Sequence, residues 1–275
     1  MAIDKIDIDE INVIDEIDID EDLNFWDEST NVSSFFNENF KVKMVAGSFY
    51  MPKFNKVPLW KDAHFICIEE ETIGVADGIG GWAKKGINSG EYSRQLVRNT
   101  ELSIHKPKDQ RNQIHPMEVL NEAYFNMKCQ GSSMACILTL TFDIVQKVNV
   151  GDSRFVVKRD RVIVYESEIQ QKGFNYPFQL GNGNRGCASD GIDGLFDNAH
   201  NTELEKLVCD RLVDLHELGT FSKMLARKIA AYALQKSESK NIYTPFAIDC
   251  LKVGKDRVGG KCDDIIVIVA RILPR

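Results

Sequence analysis

Aspartate borders short apolar or glycine-rich stretches at four separated points of the chain: Asp62 in KDAHFI, Asp77 in VADGIGGW, Asp193 in DGLFDN and Asp263 in CDDIIVIV. Hard divalent cations such as magnesium and manganese take oxygen ligands, and carboxylates drawn from distant loops are a usual way to supply them. VADGIGGW carries the strongest signal. Thr72 to Ala76 is short, apolar and β-branched, so it reads as a buried strand that delivers Asp77 at its end. Gly78, Gly80 and Gly81 then expose backbone that a carbonyl oxygen or a phosphate can approach without side-chain obstruction. Asp-Gly alone is a common turn dipeptide; recurrence at four places is what makes this a candidate metal centre.

The elements that must hold these residues alternate along the chain beyond Lys43. Ile66 to Ile68 and Thr72 to Ala76 read as strands, while Glu91 to His105 and Met117 to Cys129 have helical spacing, the second opening after Pro116. Met134 to Phe142, Lys147 to Val150, Phe155 to Lys158 and Val162 to Glu166 read as an antiparallel meander with turns at Asp143, Gly151 and Asp160. Thr202 to Leu218 and Phe221 to Ser237 read as amphipathic helices broken at Gly219, and Asp264 to Ile272 as a closing apolar strand. Runs of strands segregated from helices favour an α+β layered domain over a parallel doubly wound sheet.

Several other chemistries are disfavoured. Gly78, Gly80 and Gly81 do not form GxGxxG, and no GxxxxGK[ST] occurs, which argues against dinucleotide and P-loop sites. Five scattered histidines without an HExxH pair argue against a zinc hydrolase. Seven cysteines, odd in number and without metal-ligand spacing, fit a reducing compartment, with Cys67, Cys136 and Cys187 as small core fillers. A chain of 275 residues that is 43% hydrophobic can bury a substantial core. The net charge of −7 belongs to the N-terminus, where residues 1–30 carry twelve acidic groups against one lysine, leaving the remainder at plus four. The alternating Ile-Asp of that stretch has the period of a strand, but its carboxylates repel, so residues 1–40 read as a disordered acidic tail ahead of a domain over 41–275. No basic block interleaved with aromatics suggests nucleic acid, and no apolar run is long enough for a bilayer. A monomeric cytoplasmic or nuclear protein is the expectation.

Five ordered motifs, VADGIGGW, GSSMACI, VGDSRFVV, DGLFDN and DDIIVIVA, resemble those of the metal-dependent serine/threonine protein phosphatases of type 2C. GEYSRQLV and QQKGFNYPFQLG bring the likeness closer to the small branch related to plant and mitochondrial members, and it runs from about Lys43 to Ile272. The resemblance implies an α-β-β-α sandwich of two antiparallel sheets flanked by helices. It implies two magnesium or manganese ions that activate water for in-line attack on a phosphoserine or phosphothreonine of a protein substrate. By motif, Asp77 bridges the ions, the Gly78 carbonyl binds the second, Asp193 and Asp263 complete the first, Asp62 holds water from behind, and Asp152 serves a weaker third ion. Asp152 has an alternative as a turn cap, Asp190 competes with Asp193, and Asp264 is the register alternative to Asp263. His64 reads as a packed structural residue, and Arg154 as the partner of a nearby carboxylate.

The chain departs from the family pattern in four places. Ile79 stands where many members carry a histidine, Lys61 where an acidic residue precedes Asp62, and Ile266 where a threonine is usual. Between Gly181 and Asp193 only a short polar stretch replaces a longer segment with strands, which predicts a gap or an unpaired sheet edge. Lys61 and the shortening keep a second expectation open, a catalytically impaired phosphatase-like protein that binds phosphorylated partners.

Overall fold

The computed structural model describes residues 17–18, 42–53, 61–107, 113–159, 162–181, 194–208 and 218–274. The larger sheet is built around β5 (Ser132–Thr141), which is buried along nearly its whole length and flanked by β4 (Thr72–Gly78) and β6 (Ile144–Val150). β3 (Asp62–Cys67) lies outside β4, and β1 (Ile17–Asp18) outside β6, giving the order β1-β6-β5-β4-β3, with β11 (Leu180–Gly181) paired to β5. All of these pairings are antiparallel. The second sheet pairs β2 (Val42–Met51) with β12 (Ile265–Pro274) over ten residues, Ile265 opposite Met51 and Pro274 opposite Val42.

Three apolar interfaces hold the layers in order. Helices α1 (Ser89–Ile104) and α2 (Pro116–Phe125) place Leu96, Val97, Val119 and Leu120 against Ile137 and Val148 of the larger sheet. The opposite face of that sheet offers Ile73, Leu140 and Val145 to Met44 and Ala46 of β2. Beyond the second sheet, α4 (Leu218–Ser237) packs Leu225, Ile229 and Ala233 on Ile265 and Val267. The result is a four-layer α-β-β-α sandwich, the expected α+β fold. A cavity of about 550 Å³ lies between the sheets and reaches Asp62, Asp77 and Asp264 at one end.

Some elements differ from the sequence reading. β2 lies outside the strands expected from sequence; its strand character comes from pairing with β12 along its entire length. β7 (Val156–Arg159) and β8 (Val162–Glu166) form a separate hairpin instead of continuing the meander from β6. A further pair joins β9 (Gln171–Gly173) to β10 (Tyr176–Pro177). Of the helix expected over 202–218, α3 (Asn201–Leu207) is present and 209–217 lie outside the described residues. Gly219 falls inside the first turn of α4 and does not break it. The eight-residue α5 (Pro245–Lys252) was too short to show a period; Thr244 caps it by accepting from the Ala247 amide at 3.3 Å. Of the acidic tail, Ile17 and Asp18 pair with Val145 and Ile144, and the rest of 1–41 lies outside the described residues. The shortened segment, 182–193, is also outside them.

Candidate metal centre

The β3–β4 ladder sets Asp62 directly opposite Asp77, so two aspartates from separate motifs become cross-strand neighbours. The β2–β12 ladder brings the start of β12 to the end of β2, where the Lys53 amide donates to Asp264 Oδ1 at 2.7 Å. The Asp264 amide in turn donates to Asp263 Oδ1 at 2.9 Å, fixing the two consecutive carboxylates against each other. Lys61, immediately before β3, joins the sheets: its Nζ is 3.0 Å from Asp263 Oδ1 and 3.6 Å from Asp264 Oδ2. Lys61, Asp62, Asp77, Asp263 and Asp264 all retain 9% or less of their exposure. Four carboxylates and one ammonium therefore share one desolvated site.

Backbone packing explains the glycine after Asp77. The Gly78 amide donates to the Lys61 carbonyl at 3.2 Å, and a Cβ at position 78 would stand 2.4 Å from that oxygen and 2.6 Å from the Ser89 carbonyl oxygen. Ser93 of α1, fully buried, donates its hydroxyl to the same Lys61 carbonyl. Gly194 is similarly confined, since a Cβ there would meet the Asp264 carbonyl oxygen at 2.1 Å. The turn over 194–198 thus rests on the start of β12.

Burial and mutual repulsion dominate the electrostatics. Burial pushes the Asp62 carboxyl up to about 6, against the pull of the Lys61 ammonium and the hydrogen bond with Asp77. Asp77 rises well above the ordinary carboxylate range, from burial first and the charge of Asp62 second. Burial alone would lower the Lys61 ammonium, but Asp62, Asp77, Asp263 and Asp264 outweigh it and hold it charged. Tyr50 joins the edge of the cluster, its phenol pushed up by burial and then by Asp62 and Asp264.

Asp62 Oδ1, Asp77 Oδ1 and Asp264 Oδ2 are buried without a hydrogen-bond partner among the described residues. Buried carboxylate oxygens are rarely left so. An all-oxygen donor set with unused lone pairs fits magnesium or manganese, and Lys61 is the element of the site that does not match a simple cation cage.

Asp152 stands in a second cluster. Its Oδ2 accepts from Gln171 Nε2 at 3.4 Å, its Oδ1 has no hydrogen-bond partner among the described residues, and Asp197 and Lys261 are its charged neighbours. Burial first and Asp197 second push Asp152 up to about 6, while Lys261, 2.8 Å from Asp197 Oδ2, opposes them. Asp197, Lys261, Tyr50 and Ser93 were not singled out from sequence; Asp197 had a signal in its place within DGLFDN and Ser93 in its place within GEYSRQLV, the others none. Asp193 and Asp190 lie outside the described residues. His64 Nε2 lies 2.8 Å from Ser48 Oγ on the partner sheet, and Arg154 pairs with Glu166 at 3.3 Å. Ile79 is fully buried beside Trp82 and Met134, as a packing residue.

No protein-family model matches the chain. It is 39% identical to "Probable protein phosphatase 2C 55" of Arabidopsis thaliana, over 84% of this chain and 52% of the relative. It is 32% identical to "Putative protein phosphatase 2C 24" of Oryza sativa subsp. japonica, over 84% and 78%, and 31% identical to "Protein phosphatase PTC7 homolog fig" of Drosophila grimshawi, over 74% and 76%. The chain spans about half the length of the first of these relatives. Its fold matches the X-ray structure of the photosystem II phosphatase PBCP with a TM-score of 0.72 at 22% identity, covering 83% of this chain and 98% of that one. The catalytic domain of the serine/threonine phosphatase PstP, solved with two manganese ions, matches with a TM-score of 0.55 at 11% identity, covering 84% and 99%. A four-layer sandwich with carboxylates gathered at one end of its two sheets defines the class as phosphatase-like. The chain belongs to the protein phosphatase 2C family.

Proposed function

We propose that this chain is a metal-dependent protein serine/threonine phosphatase, hydrolysing phosphoserine and phosphothreonine in protein substrates. The convergence of Asp62, Asp77, Asp263 and Asp264 at the meeting point of the two sheets, with buried oxygens left over, carries this reading. Magnesium or manganese, when bound, supplies a nucleophile from water at neutral pH and neutralises charge on the phosphoryl oxygens. Asp77 and the Gly78 carbonyl would hold the ions from the end of β4 and Asp263 from the start of β12; Asp193, outside the described residues, is the further ligand that the motif implies. Asp62 orients water from β3, and Asp152 belongs to a weaker third position.

The protein acts on this reading as a cytoplasmic or nuclear monomer, with residues 41–275 as the phosphatase domain. Among the described residues no helix is long and apolar enough to cross a membrane. Hydrolysis of a phosphothreonine peptide in manganese, compared with Asp77→Asn, tests the proposal. Turnover in wild type that falls about a hundred- to a thousandfold in the variant is expected, the scale of losing an essential electrostatic group. A folded wild type as inert as the variant points instead to the second reading, a binder of phosphorylated partners, which the Lys61 ion pairs favour.

A further inference from the structure

Lys61 is a cation already inside the site. Its ammonium lies 3.0 Å from Asp263 Oδ1 and 3.6 Å from Asp264 Oδ2, with 3% of the residue exposed. The backbone beneath it is fixed, because the Lys61 carbonyl accepts from both the Gly78 amide and the Ser93 hydroxyl. The side chain runs past Gly80, where a Cβ would come 3.7 Å from the lysine Cδ. The glycine-rich loop therefore leaves the stem a path beside the carboxylates. A divalent ion bound to Asp263 would sit about 2.0–2.6 Å from a carboxylate oxygen, inside the space the ammonium already shares with that oxygen. Two cations at such separation repel strongly in a desolvated pocket.

We propose that Lys61 is a tethered monocation that occupies the Asp263–Asp264 side of the carboxylate cluster and competes with a divalent ion for it. This rests on the metal-centre reading above and assigns Lys61 a regulatory role within it. With metal scarce, the ammonium offsets part of the charge of Asp62, Asp77, Asp263 and Asp264, so the two sheets stay joined at this end. With metal abundant, the ammonium withdraws along Gly80 and the Asp263 side opens to the ion. The chain thereby binds divalent ions more weakly than the same fold with an acid at position 61, and its metal-free form is the more stable for it.

Mn2+ affinity of the full chain, read by titration calorimetry and by electron paramagnetic resonance of free Mn2+, tests this directly. Lys61→Glu and the neutral Lys61→Met should each bind Mn2+ more tightly, the former by at least about tenfold, equivalent to about 1.4 kcal/mol. Both variants should melt at lower temperature than wild type in chelator, and recover more than wild type does on adding Mn2+. Unchanged Mn2+ affinity in both folded variants, or unchanged melting in chelator, overturns the proposal. Lys61→Met retains the apolar stem and keeps the test open where Lys61→Glu does not fold. Asp77→Asn separates the two levels. Weakened Mn2+ binding in that variant with wild-type affinity in both Lys61 variants rejects the lysine's role alone, whereas wild-type affinity in Asp77→Asn rejects the metal centre itself.

Discussion

Position 78 tolerates no side chain, and the reason is geometric. Its nearest neighbours are the carbonyl oxygens of Lys61 and Ser89, 2.4 and 2.6 Å from where a Cβ would stand, and both belong to backbone that other contacts hold in place. Neither can rotate away as a side chain would. Gly78→Ala should therefore lower stability by about 2–3 kcal/mol, in the range of overpacking in a closed core, as read from urea unfolding in chelator. Because the displacement would part the ends of β3 and β4, Mn2+ affinity should fall with it. Gly80→Ala, whose Cβ would meet the Lys61 Cδ at an ordinary 3.7 Å, is the contrasting case and should cost less than about 1 kcal/mol. Equal losses at the two positions would count against the backbone crowding described here.

Among the elements, α1 does more than cover the sheet. Its buried Ser93 reaches the Lys61 carbonyl at the outer end of β3, so the helix clamps the strand end that carries Asp62. Ser93→Ala removes one of two donors to that carbonyl, the Gly78 amide remaining, and should cost about 1 kcal/mol in urea unfolding. β4 and β12 were legible because each joins a short β-branched run to an acid, and both appear where those runs predict; β3, expected only over Ile66 to Ile68, starts at Asp62, its strand character coming from pairing with β4. The helix faces of α1 and α2 were legible from their period. What the sequence did not disclose depends on contacts between layers. Lys61 stood out in sequence only as a lysine where an acid was expected; the closeness of β3 to the start of β12 makes it the partner of Asp263 and Asp264. Asp264, weighed as an alternative to Asp263, proves to lie in the cluster beside it through a Lys53 amide, which no local pattern announces. α5 escaped for a different reason: eight residues give barely two turns of periodicity, and its Thr244 cap is recognisable only once the helix is known.

For the molecule as a whole, the buried carboxylates make stability depend on protons and metal in opposite directions. Asp62 and Asp152 have folded values near 6 against an ordinary 3.8, because burial disfavours their charged forms, and Asp77 is shifted the same way. Between pH 3.8 and 6 the folded chain then binds more protons than the unfolded one, so stability declines as pH rises through that window. Glu203 acts oppositely: its carboxylate, held down to about 2 by Lys236, Tyr232 and the His200 amide despite burial, gives stability that is lost as pH falls below its ordinary 4.5. In chelator the melting temperature should accordingly peak below pH 4, where the loss at Glu203 offsets the gain at the aspartates, and fall by about 5 °C between pH 5 and 7.5. Divalent ions bind the deprotonated carboxylates, so their stabilisation grows as protons leave. In millimolar Mn2+ the slope between pH 5 and 7.5 should reverse and rise. Melting scans across that range, with chelator and with Mn2+, distinguish the outcomes: a rising slope in chelator would mean that the carboxylates of the two sheets are matched by cations before any metal binds.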